Sequence, residues 1–200
     1  MRLVLTTTVL LALLSGSVAA QKQKPRSPEK VEDVTTTVGK VFKSTEGRFT
    51  VVFPGDPKLE QSKVDSAIGP LTTNLAILEK GPLVYYVSYT DLPVGPETPE
   101  ETREALDGSR DFLLAGGHKM ISESEIIVAG LTARELLMEK DGLVMRARAF
   151  YEKKRLYQLI FSAQTTLSFR NGKASADPAN RTDLFETSSV GFFDSFKLTK

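Results

Sequence analysis

Residues 133–149 read ARELLMEKDGLVMRARA, two runs of alternating character around Asp141-Gly142. Asp-Gly is a preferred pair for a two-residue type I′ turn, which connects neighbouring antiparallel strands. Such a turn pairs Lys140 with Leu143 and fixes the register of every residue outward from it. One face of the hairpin is then mostly apolar and the other amphipathic, so pattern and turn agree. The first face collects Arg134, Leu136, Met138, Met145, Ala147 and Ala149, and the second collects Glu135, Leu137, Glu139, Val144, Arg146 and Arg148.

Similar strand signals occur from about residue 40 onward. Residues 58–67 are polar on both faces, which is typical of an edge strand. Residues 156–161 are apolar on both faces, as expected for a central strand. Turn signals such as Gly81-Pro82 separate the runs. The predicted strands are 41–42, 49–53, 58–67, 71–77, 83–90, 119–128, 132–139, 143–152 and 155–162.

Two helices are predicted, one between the two groups of strands and one near the end of the chain. Thr98 and Glu101 have the spacing of a capping box, and helical periodicity follows until residues 116–117, a Gly-Gly pair, end the helix. The second helix is expected from about Asp183 into VGFFDSFKL, 190–198. This order of elements predicts an α+β fold, an antiparallel β-sheet with helices packed on it.

The first twenty residues have the layout of a cleaved export signal. A positive start is followed by an apolar core, LVLTTTVLLALL at 3–14, and by small residues, SGSVAA at 15–20. The apolar core is shorter than the roughly 20 residues that a spanning helix needs, so we expect no transmembrane anchor after cleavage. Residues 21–39 are polar and charged, and we expect a disordered tether there. Residues 40–200 then form a single domain that is secreted or periplasmic.

Composition narrows the classes of function. Without residues 1–20, which carry the single charge of Arg2, the chain has 25 basic and 25 acidic side chains. Nucleic-acid binders usually show a basic excess, so no nucleic-acid partner is expected. The absence of cysteine excludes thiolate catalysis and cysteine metal sites. No motif indicates a metal or another cofactor.

The glycines of GRFTVVFPGDP, 47–57, do not form a phosphate-binding loop. A P-loop places a lysine and a hydroxyl residue directly after its second glycine. Here Gly55 is followed by Asp56 and Pro57, and proline removes an amide donor. The segment is therefore predicted to be a buried strand that ends in a Pro-Gly turn.

Five segments in this order resemble the PsbP-like superfamily, and more closely a set of uncharacterised exported bacterial proteins of that fold. They are EGRFTVVFPGDP at 46–57, VSYTDLP at 87–93, the helix and Gly-Gly pair at 99–117, RLYQLIF at 155–161 and FFDSFKL at 192–198. The resemblance covers about 40–200 and implies an α/β/α sandwich around an antiparallel sheet, with a helix-to-strand exit at 194–196. Members of the superfamily are mostly accessory or partner-binding proteins, but a shared fold does not transfer a function.

Two sets of titratable residues are candidates for catalysis. His118 is the only histidine, and the sequence lacks the G-x-S-x-G motif that would present a serine to it. It fits better as a cation near the end of a helix. Glu123 and Glu125 share one strand face, as do Glu135 and Glu139, and solvated strand faces explain both pairs better than acid–base chemistry.

Four residues are candidates for ligand binding. Arg146 and Arg148 lie on the same face as Glu135, where they could receive an anion or an acidic partner. A cross-strand ion pair between Glu135 and Arg148 is the alternative. Tyr89 alternates with other apolar residues and could form an aromatic platform for a ligand, although a sheet core needs the same alternation.

The sequence therefore favours an exported, non-enzymatic module that binds an unknown partner protein or small molecule. Two alternatives stay open: an enzyme, such as a hydrolase, that uses carboxylates in a cleft, and a structural component of the envelope.

Overall fold

The computed structural model describes residues 39–66, 69–164, 169–170, 173–174 and 178–200. The predicted signal and all but the last residue of the predicted tether lie outside this part of the chain. The strands are β1 (Lys40–Ser44), β2 (Phe49–Phe53), β3 (Lys58–Ser66), β4 (Gly69–Lys80), β5 (Leu83–Asp91), β6 (Lys119–Val128), β7 (Leu131–Lys140), β8 (Leu143–Glu152), β9 (Arg155–Gln164), β10 (Phe169–Arg170), β11 (Lys173–Ala174) and β12 (Lys197–Leu198). The helices are α1 (Pro99–Ala115) and α2 (Pro178–Asp194).

Seven strands form one large sheet in the order β3-β4-β5-β9-β8-β7-β6. Every neighbouring pair is antiparallel, as the sequence predicts. The apolar β9 is the central strand, with all but its last residue buried. The polar β3 lies at one edge, where its unpaired backbone groups can be hydrated.

The hairpin of β7 and β8 has the predicted register. Lys140 pairs with Leu143, and Glu135 lies opposite Arg148. Asp141 and Gly142 have φ angles of 50° and 76°, the positive values that a type I′ turn requires at both central positions.

Helix α1 covers one face of the large sheet, over β7 and β8. Its N-terminus is the predicted capping box: the Glu101 amide donates to Thr98 Oγ1 at 3.1 Å, and the Thr98 amide donates to Glu101 Oε2 at 3.3 Å. The helix buries apolar side chains against the apolar face of the hairpin. These include Leu106 and Leu113 of α1 and Leu136, Met138 and Met145 of the sheet.

The opposite face of the large sheet packs against α2 and a second, small sheet of order β1-β2-β12. The core between them is aromatic, and its ring centroids lie 5.0–6.4 Å apart. The prediction of antiparallel sheet in an α+β chain is confirmed, but the layer opposite α1 holds three strands as well as a helix. The buried rings of this core are Phe49, Phe53, Tyr85, Tyr89, Phe150, Tyr157, Phe161, Phe185, Phe192, Phe193 and Phe196.

The last helix starts before the predicted Asp183 and ends within the predicted segment 190–198, at the helix-to-strand exit that the resemblance implied at 194–196. Helix α2 begins earlier, at Pro178, and ends at Asp194, after which β12 pairs with β2. The Ser195 hydroxyl accepts the Val52 amide at 2.9 Å and donates to the Phe192 carbonyl at 2.7 Å. These two bonds join the end of the helix to the small sheet, a long-range contact that helical periodicity does not reveal.

Candidate functional site

An open groove crosses the face of the large sheet between β1 and β3, because the small sheet stops before the β3 edge. This β1–β3 groove consists of two adjoining cavities of about 400 and 490 Å³ that share Glu46, Gln61 and Asn74 in their walls. The larger cavity lies toward Thr72 and Asp91. The smaller cavity is lined by Phe42, Ser44, Glu46 and Phe49 on one side, by Asn74, Leu75, Ala76, Val87 and Tyr89 along its floor, and by Leu59, Glu60 and Gln61 on the other side.

Strand alternation explains which side chains enter the groove. On β3, Leu59 pairs with Ala76 and Gln61 with Asn74, so these four share the face that the small sheet leaves open. The Gln61 amide donates to Asn74 Oδ1 at 2.7 Å. Leu59 is 68% exposed, an apolar side chain without cover on a mostly polar strand. The groove therefore offers both apolar surface and amide hydrogen-bonding groups.

The turn between β1 and β2 closes one end of the groove and is fixed by hydrogen bonds. The Gly47 amide donates to Ser44 Oγ at 2.9 Å, and the Tyr157 hydroxyl donates to the Gly47 carbonyl at 2.8 Å. Arg155 Nη1 donates to the Glu46 carbonyl at 2.7 Å. A site held in this way loses little conformational freedom when it binds a ligand.

Arg155 also joins this turn to the end of β5. Its Nε and Nη2 donate to the two carboxylate oxygens of Asp91, both at 2.6 Å, and its guanidinium lies 4.7 Å from the ring centre of Tyr89. The hydrogen bonds to Asp91 are the main cause that raises the pKa of Arg155, so it stays charged. Burial, and then the charge of Glu46, raise the pKa of Tyr89.

The predicted ligand-binding residues lie in two places. Glu135, Arg146 and Arg148 come together on the sheet face beneath α2, whereas Tyr89 forms part of the groove floor. Arg148 Nε lies 2.6 Å from Glu135 Oε2, which is the cross-strand ion pair weighed as the alternative. Arg146 Nη2 donates to both carboxylate oxygens of Glu186 at 2.9 Å.

Helix α2 engages both arginines further. Arg146 Nη1 donates to Ser189 Oγ at 2.8 Å, and the Arg148 guanidinium lies 4.7 Å from the Phe193 ring centre. Their side chains are only 13% and 18% exposed. These contacts give the two arginines a role in holding α2 on the sheet, and ligand binding by them stays a prediction.

Tyr89 lies both in the core and at the groove, the two places that the alternation along its strand allowed. It is buried with Tyr85 and Val87 in the aromatic core. Its ring also borders the smaller cavity of the groove, so it is the one predicted binding residue that the structure places there.

The residues considered for catalysis have structural contacts. A ring nitrogen of His118 lies 3.0 Å from the Leu113 carbonyl, at the end of α1 as expected. Glu123 and Glu125 share a face as predicted, but they are ion-paired with arginines of α1 and are not simply solvated. Glu123 also contacts Arg134 at 3.0 Å. Within the described ranges no group of three or more acidic or histidine side chains is arranged to hold a metal ion.

No helix in the described part of the chain is both long enough and apolar enough to cross a membrane.

Sequence reasoning did not identify the groove. The alternation of β3 places Leu59 and Gln61 on one face, and Leu59 is conspicuous in a polar strand. That face is open because the small sheet ends at β1, which among the described residues pairs with β2 alone. The local sequence does not show at which strand a sheet ends.

Comparisons with known proteins show likeness of fold. No protein-family model and no curated protein matches the chain. The solution structure of PsbP from the cyanobacterium Synechocystis sp. PCC 6803 aligns over 85% of this chain and 98% of that chain, at 11% identity and a TM-score of 0.48. That structure is a PsbP, the kind of protein that the sequence resembles. A protein of unknown function from Pseudomonas aeruginosa covers 76% of this chain and 93% of that chain, at 11% identity and a TM-score of 0.32. Neither likeness carries a statement about function.

Proposed function

We propose that this chain is an exported, non-enzymatic module that binds an extended segment of a partner protein in the β1–β3 groove. The observation that supports this most directly is the position of β1. It is the outer strand of the small sheet and, among the described residues, pairs with β2 alone. Its other edge borders the groove. An extended segment could add to that edge as a further strand, the mode called β-augmentation.

The walls of the groove suit such a segment. Strand addition provides affinity through main-chain hydrogen bonds, while alternate side chains of the bound segment enter pockets. Side chains that point toward the large sheet would contact Ala76 on the floor and Leu59 on the far wall. Leu59 would then lose the solvent exposure that its apolar side chain now has.

The export signal and tether predicted at residues 1–39 supply the cellular setting. After cleavage of such a signal, the folded domain would be free to meet a partner outside the cytoplasm. The chemistry of the groove gives an enzyme less support, because its carboxylates are accompanied by neither a histidine nor a metal site in the described residues.

A pair of matched variants tests the proposal. Gln61→Trp places a large side chain in the groove from an exposed position of β3. Gln164→Trp makes the same change at the exposed end of β9, outside the groove walls. The natural chain has no tryptophan, so the emission wavelength of the single introduced indole reports how far that side chain is shielded from water.

Random linear peptides would be selected on the natural protein, and their affinity for each variant measured by fluorescence anisotropy. We expect Gln61→Trp to weaken the selected peptides by about tenfold or more and Gln164→Trp to leave them unchanged. Both variants should melt within about 2 °C of the natural protein, as surface substitutions usually do. Failure to select any peptide, or equal binding to Gln61→Trp, would overturn the proposal.

A further inference from the structure

The charges around the β1–β3 groove have one sign. The charged residues that line its two cavities are Glu46, Glu60 and Asp91, of which Glu60 alternates with Leu59 and Gln61 and therefore projects to the other face of the sheet. No lysine, arginine or histidine of the described residues lines either cavity. A groove with carboxylates and no resident cation attracts a cationic ligand.

The nearest cations are already engaged or stand outside the groove. Arg155 is committed to Asp91 and to the Glu46 carbonyl and therefore compensates Asp91. Lys40 pairs with Asp56 at 2.8 Å, away from the groove. Lys63 is exposed on the same face of β3 as Gln61, opposite Thr72, but it is not among the residues that line the cavities. The Glu46 carboxylate has no ion pair with any described cation.

Apolar surface lies beside the Glu46 carboxylate. Phe42 and Phe49, with ring centres 6.0 Å apart, form the wall next to it, and Leu59 stands opposite. Lysine and arginine have long apolar stems that pack on such surfaces while the charged head reaches an anion. An aromatic ring adds attraction for the cation itself.

We infer that the groove selects an extended segment carrying a lysine or arginine, whose stem packs on Phe42 and Leu59 and whose cationic head pairs with Glu46. This specificity rests on the proposed function, because it names the chemistry of the segment that adds to β1.

The test uses the selected peptides themselves. They should be enriched in lysine or arginine, and replacing that residue by glutamine should weaken binding about tenfold, as expected for a charge-assisted hydrogen bond. Glu46→Gln should lower the affinity for the parent peptide by a similar factor. It should change the affinity for the glutamine-substituted peptide little. The matched control Glu79→Gln, an exposed residue of β4 outside the groove walls, should change neither affinity.

The outcomes separate the two proposals. If peptides bind and Gln61→Trp abolishes their binding, but they lack a basic residue or tolerate Glu46→Gln, the cationic specificity is wrong while the groove remains the site. If no peptide is selected, both proposals fail. If the parent peptide binds Glu46→Gln and Glu79→Gln equally weakly, the loss of affinity comes from the change in overall charge, and the assignment to Glu46 is overturned.

Discussion

Replacing Arg155 by methionine tests whether this side chain fixes the closed end of the groove. Methionine keeps an unbranched apolar stem but removes all donors. Asp91 is 62% exposed, so its carboxylate would rehydrate, and the lost surface pair costs at most about 1 kcal/mol. The Glu46 carbonyl would lose its donor, which costs about 1–2 kcal/mol for a half-buried group. The expected total is about 1–3 kcal/mol of unfolding free energy.

The assay is thermal unfolding followed by circular dichroism. For a chain of this size each kcal/mol lowers Tm by about 2–4 °C, so Arg155→Met should melt about 2–12 °C below the natural protein. Asp91→Asn removes the ion pair but leaves the bond from Arg155 to the Glu46 carbonyl, and should lower Tm by no more than about 4 °C. Equal shifts for the two variants, or a shift below about 2 °C for Arg155→Met, would refute the reasoning.

Three further predictions concern the tyrosines, the α1 cap and the end of α2. Burial raises the pKa of both Tyr86 and Tyr151 to about 12, so the folded protein holds two protons that the unfolded chain releases near pH 10. Stability should therefore fall as pH rises from about 10 to about 12, and ultraviolet titration should show these phenols ionising only near the upper value; ionisation of all five tyrosines near pH 10 in the folded protein would contradict this. Thr98→Ala should cost about 1 kcal/mol in urea unfolding, whereas the exposed Glu104→Ala in the same helix should cost less than about 0.5 kcal/mol. Ser195→Ala should cost about 1–2 kcal/mol because the Val52 amide loses its acceptor, and an unchanged unfolding midpoint would show that this bond does not hold α2 to the small sheet.

The parts of the fold that sequence predicts well are those encoded by neighbouring residues. Asp141-Gly142 determines its own turn and, through it, the pairing of two whole strands. Thr98 and Glu101 lie three residues apart and satisfy each other's amides, so their spacing alone predicts the start of α1. The position of β9 is also predicted from its own residues, because apolar side chains on both faces of a strand indicate a central place in the sheet.

The parts that sequence predicts poorly depend on contacts between distant residues. The strand β12 pairs Lys197 with Thr50, and no alternation or turn signal near Lys197 predicts it; only the resemblance implied a strand after residues 194–196. The alternation of β8 correctly placed Arg146 and Arg148 on one face, but Glu186, the partner of Arg146, belongs to a helix 40 residues away. A pattern can place a charge on a face, but which groups then satisfy that charge depends on tertiary packing.

The groove is harder still to predict, because it is defined by surface that no element covers. One wall comes from β1, β2 and the turn between them, and the floor and other wall come from β3, β4 and β5. The groove is open because the small sheet ends at β1. Leu59 gives a hint, since an apolar residue in a polar edge strand needs a reason. The sequence could support the idea of a binding module without locating the surface that binds.

The most direct test of strand addition at β1 is hydrogen–deuterium exchange with and without a selected peptide. If the peptide adds to the free edge of β1, exchange should slow at amides within Lys40–Ser44 and stay unchanged along β6, the edge strand at the far side of the large sheet. Protection along β6 or α2 with no change in β1 would contradict the account and place the binding surface elsewhere.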